Sequence, residues 1–177
     1  GGITKKLLSY PAEGIAQVVL HEGFHDNLIQ KQLEIPYSLV ESTADVIAIN
    51  GSIEYAKYGG GINIAELVKM KDLHERLVEF VNGRRRMLDV GNGNIGHSFY
   101  EECDKELASI LLNADPTTRD RFNYHVNNAF FVRNQDYCAD HPLVSSLFLS
   151  LGSLRETQFI LFSTMFSKAR KPRLLSQ

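Results

Sequence analysis

Two histidines flank a glutamate in the run His21-Glu22-Gly23-Phe24-His25. Residues four apart on an α-helix share a face, so a helix here aims both imidazoles at one point. A metal ion at that point needs further donors, and the chain must fold back to bring them. The motif therefore asks for a helix under the histidines and a second element packed against it. The glutamate between the histidines can sit beside a metal-activated water and take its proton.

The surrounding pattern is helical. Ile15, Val18, Val19 and Leu28 recur at helical spacing from Ala12 to about Gln32, with Pro11 just ahead, as at a helix start. Val18, Val19 and Leu20 run straight into His21, an apolar approach that suits a buried polar cluster better than a solvated face. Pro36 breaks the chain. A second helix is expected from Ser38 to about Tyr58, carrying Val40, Ala44, Ile47 and Ala48 and stopped by Gly59-Gly60-Gly61.

A third helix is expected over Ile64 to Val81, followed by a turn-rich loop from Gly91 to Gly96. Ser98 and Glu101 form a capping-box pattern for a helix reaching about Asn113. Asp115-Pro116 reads as the start of another, continuing to about Ala139. Pro142 marks a new segment. Gly152, Ser153 and Glu156 announce a last helix from Leu154 to about Ala169, and 171–177 reads as a frayed basic tail. The expectation is one mostly α domain over residues 1–170.

Of 177 residues, 44% are apolar and 23% charged, which is ordinary for a globular chain with a real core. A net charge of −2 gives no reason to expect a nucleic-acid partner. Arg84-Arg85-Arg86 reads as a solvated helix end. No apolar run approaches the roughly 18 residues of a membrane span. The chain begins Gly1-Gly2, so an upstream segment stays open. Cys103 and Cys138 can pair or stay as buried thiols.

The second helix supplies the missing donor. It carries Glu41-Ser42-Thr43-Ala44-Asp45, with the two acids four apart on one face. Zinc in hydrolases commonly takes two histidines and one glutamate and leaves a fourth position open. Glu41 follows His25 by sixteen residues, enough for the first helix to end, turn at Pro36 and return antiparallel. Asp45, one turn further on, is then placed to accept the free ring N–H of a liganding histidine.

H-E-x-x-H followed by E-x-x-x-D resembles the gluzincin clan of zinc metallopeptidases, the thermolysin-like arrangement. The resemblance implies a zincin-like helical domain whose motif helix packs antiparallel on the third-ligand helix. It makes His21, His25 and Glu41 the Zn2+ ligands, Glu22 the general base and Asp45 the residue that orients a histidine. A looser similarity links the chain to a family of bacterial predicted aminopeptidases. Those proteins place H-E-x-x-H before an E-S-x-A segment, here Glu41-Ser42-Thr43-Ala44, and an N-N-A segment, here Asn127-Asn128-Ala129, before a tyrosine, here Tyr137. It implies aminopeptidase action on a peptide or protein substrate and a cell-envelope or secreted location, with the cytoplasm left open. It also implies a long upstream region. Zincins usually align the peptide on a strand ahead of the motif helix, and only twenty residues precede His21 here.

Peptide hydrolysis also needs a donor for the oxyanion. His97, which follows the Gly/Asn loop, and Tyr137, which gains from the family similarity, lead a set that includes Tyr100, Tyr124, His125 and His141. His74, in a charged stretch, reads as exposed and idle. Two other readings fit the same residues. One is a non-catalytic domain with a metal site for structure or partner binding, which a fourth protein ligand would favour. The other is a helical interaction domain with an accidental motif, in which His21 and His25 would point apart.

Overall fold

The computed structural model describes residues 9–30, 35–59, 61–90, 96–114, 119 and 125–152, and among these the periodicity resolves into six bounded α-helices. They are α1 (Ala12–Gln30), α2 (Tyr37–Lys57), α3 (Ile64–Val90), α4 (His97–Ile110), α5 (Asn128–Cys138) and α6 (His141–Leu151), with a 3-10 turn at Leu111–Asn113 after α4. No strand occurs among the described residues. The expected helix over 154–169, the tail, the Asp115-Pro116 start and Tyr124 lie outside them.

Proline sets both ends of the first turnback. The Pro11 carbonyl accepts from the Ile15 N–H at 3.0 Å, opening α1. Pro36 caps α2 through its carbonyl, bonded by Leu39 at 3.0 Å and Val40 at 3.1 Å, so α2 begins at Tyr37. Gly59 and Gly61 then adopt φ of +90° and +67°, a region that strains any residue with a Cβ, and the helix stops.

α2 is the hub. It packs on α1, α3, α5 and α6. From Glu41 to Ile49 every residue but Asp45 is buried, which is what a helix with neighbours all round requires. α1 and α2 run antiparallel: Glu13 near the start of α1 accepts from the Asn63 N–H beyond the end of α2 at 2.9 Å, while His21 and His25 meet the first turns of α2. Phe24 and Leu28 from α1 pack with Ala44 and Ile47 from α2 in one small core. A larger core gathers Val78, Val81, Leu107, Phe130 and Phe131 from α3, α4 and α5.

Three expectations about elements change. α3 runs on to Val90 instead of ending near Val81, so the arginine triplet lies inside a helix and not at its end. Arg84 Nε bonds Glu106 at 2.7 Å and its guanidinium lies 5.7 Å from the Phe99 ring centre, which fastens α3 to α4. The capping box does not form, because Gly96 is the N-cap and no side chain caps α4. Residues 125–127 are non-helical, so no single helix reaches Ala139; Asn127 caps α5 by accepting from the Phe130 N–H at 3.0 Å. Cys103 and Cys138 are free and buried, and burial pushes their thiols up to about 11 and about 12.

Candidate metal centre

The helical spacing of the motif and the return of α2 bring three donors together. His21 Nε2 lies 3.0 Å from His25 Nε2. Glu41 Oε2 is 3.4 Å from His21 Nε2, and Glu41 Oε1 is 3.4 Å from His25 Nε2. Nitrogen and oxygen ligands on a tetrahedral zinc at 2.0–2.1 Å stand about 3.3 Å from one another. The three separations are close to that value, with the two histidines facing different oxygens of Glu41. Among the described residues, no fourth His, Cys, Asp or Glu joins the group. Glu41 is only 3% exposed, and a carboxylate so deep needs compensating charge beside it, which a divalent cation would supply.

Asp45 orders the first histidine. His21 Nδ1 lies 2.9 Å from Asp45 Oδ1. A carboxylate only accepts, so the ring hydrogen sits on Nδ1 and Nε2 turns its lone pair to the cluster. Burial pulls the His21 pKa down, but the Asp45 hydrogen bond and the charges of Asp45, Glu41 and Glu22 outweigh it and leave the pKa raised. Burial pushes Asp45 up, yet the His21 hydrogen bond and the nearby imidazoles of His74, His21 and His141 bring it below the usual carboxylate range.

Glu22 is exposed on the same helix, and its charge reaches His21. Gly23 beside it faces open space, since nothing stands within 4 Å of where a Cβ would lie. That side of the motif helix is accessible.

The other expected residues divide. Tyr137 comes near the cluster through its backbone, whose carbonyl accepts from the Ser42 hydroxyl beside Glu41 at 3.2 Å, and Tyr37 is the first residue of α2. The negative charge of Glu41, then that of Tyr137, push Tyr37 up to about 12, so its proton stays on. Sequence reasoning passed over Tyr37; its only signal was its place one turn before Glu41 on the same face. His97 is exposed and pairs with Glu101 on its own helix at 3.5 Å, and α4 packs mainly on α3 among the described residues. Tyr100 donates to Asn128 Oδ1 at 2.7 Å, and exposed His125 lies 3.2 Å from Asp104.

His74 is not idle. Packing of α3 on α2 carries it into the fold, where its Nε2 lies 3.8 Å from Asp45 Oδ2 and its ring centre is 4.8 Å from that of His141. His141 is buried, so it is no surface donor; burial and the adjacent His74 push its pKa down to about 4.

No family model, characterised protein or solved structure gives a significant match to this chain.

Proposed function

We propose that the chain is a zinc-dependent peptidase of the gluzincin type, with His21, His25 and Glu41 as ligands. The observation that carries this reading is the convergence of those three donors, with Asp45 behind His21. An accidental motif would leave the two imidazoles pointing apart. Bound zinc would supply Lewis acidity and a lowered water pKa. Glu22 takes the proton of the attacking water and returns it to the leaving amine. Tyr137 is the residue whose hydroxyl would donate to the carbonyl oxygen as negative charge builds there. An aminopeptidase is the form that the family similarity favours.

One observation favours a second reading, a non-catalytic metal-binding domain. Peptides in zincin-like sites lie along a strand, and no strand occurs among the described residues. Metal analysis and hydrolysis together separate the two. Purified protein at neutral pH is expected to carry close to one zinc per chain and to lose it on His21→Ala. Glu22→Gln is expected to keep the zinc while peptide hydrolysis falls by about 10²–10⁴-fold, the usual worth of a general base. Absence of zinc, or zinc unchanged in His21→Ala, rules out the centre. Zinc without hydrolysis in the wild type selects the second reading.

A further inference from the structure

We propose that His74 is a positioning residue of the metal centre: from α3 it holds the second oxygen of Asp45, and so the carboxylate that orients the ligand His21. The inference rests on the metal-centre reading above and extends it to a residue that no motif marks.

Asp45 lies between two imidazoles. Its Oδ1 is 2.9 Å from His21 Nδ1, and its Oδ2 is 3.8 Å from His74 Nε2. The longer separation is within ion-pair range but beyond a hydrogen bond, so His74 acts on the carboxylate through its charge and dipole. That charge is among the influences that keep Asp45 ionised. A carboxylate held at one oxygen can turn about its side-chain bonds and carry its partner with it. Held from both sides, by α1 and by α3, it is confined to one orientation. Such carboxylates fix the ring angle and the basicity of a liganding histidine.

His74 is itself wedged in place. Its ring centre lies 4.8 Å from that of His141, with the two planes tilted by 49°. His141 is buried on α6, and its Nδ1 is 3.3 Å from the Ser145 hydroxyl one turn further on. Both α3 and α6 pack on α2. Leu77, three residues after His74, is sunk in the larger core and fixes which face of α3 turns inward. A line of polar side chains thus runs from α6 through α3 and α2 to the ligand on α1. It gives α3, which carries no ligand, a hold on the zinc site.

His74→Phe keeps a ring against His141 and removes the nitrogen that faces Asp45. The test is a double-mutant cycle on the zinc dissociation constant, measured by competition with a chromophoric chelator in wild type, His74→Phe, Asp45→Asn and the double variant. His74→Leu takes the place of His74→Phe if the phenyl ring prevents folding. The expected result is zinc binding weakened about tenfold by His74→Phe, the low end of what such outer partners contribute, and no further loss from it in the Asp45→Asn background. Equal affinity in wild type and His74→Phe overturns the role of His74 and leaves the centre standing. The same loss in both backgrounds assigns the histidine to packing and overturns the role as well. A wild type that takes up no zinc removes the centre itself.

Discussion

His141 shows how far a single side chain at the back of the site feels its surroundings. Its imidazole is buried beside His74, and its pKa is pushed down to about 4. In the unfolded chain the same group titrates near 6.5. Between those values the unfolded state binds the proton and the folded state refuses it. Stability is therefore full above about pH 6.5 and falls as pH drops towards 4. From pH 8 to pH 5 this one group should account for about 2 kcal/mol. Urea unfolding in the presence of chelator, repeated with His141→Asn, measures it; the variant should lose that much less on acidification, and an equal loss refutes the assignment. At this scale the sequence was a good guide where spacing is local. His21, His25, Glu41 and Asp45 were legible because a helix converts a spacing of four into a shared face. His74 and His141 were not. Their roles depend on α3, α5 and α6 landing on α2, and those contacts join positions up to about a hundred residues apart, as Ser38 with Asp140.

Helices α1 and α2 were expected within a residue or two at most ends, because prolines and glycines bound them and the periodicity between is clear. α3 and α4 were read less well. The apolar rhythm fades after Val81, but α3 continues because Arg84 finds Glu106 and Phe99 on α4. That is tertiary packing overriding a local signal. Ser98 and Glu101 make a good capping pattern on paper, yet Gly96 already occupies the cap two residues too early for it. The geometry of the candidate centre depends on how closely α1 approaches α2, and Ala44 sets that approach. It is fully buried and packs with Phe24, Leu28 and Ile47. Ala44→Leu adds three carbons where there is no room, which typically destabilises by about 1–3 kcal/mol. It should also separate the histidines from Glu41. Zinc affinity is expected to fall more than stability does, read by the same chelator competition and by thermal unfolding. Zinc affinity at the wild-type level in a destabilised Ala44→Leu protein would show that the helix spacing does not control the site.

Across the whole molecule the two cores are unequal, and this decides what metal does to the fold. Among the described residues α3, α4 and α5 share the larger core, while α1 packs chiefly on α2 through a smaller cluster. Elements with few buried contacts open most readily, below the free energy of global unfolding. The ligands straddle that seam, two on α1 and one on α2. A cation that binds only the closed arrangement stabilises it by mass action, by about 2.7 kcal/mol at a hundredfold excess over the dissociation constant. The benefit should therefore be local. Amide hydrogen exchange with and without zinc is the direct measurement. Protection is expected to rise by up to about a hundredfold over α1, where opening breaks the ligand set, and to change little in α3 and α4. In Glu41→Gln the difference should vanish, because α1 keeps its histidines but has no partner carboxylate across the seam. Uniform protection over all helices would mean that α1 opens only with the whole domain. In that case the two cores form one cooperative unit, and the centre supports the fold as a whole instead of pinning one helix to its hub.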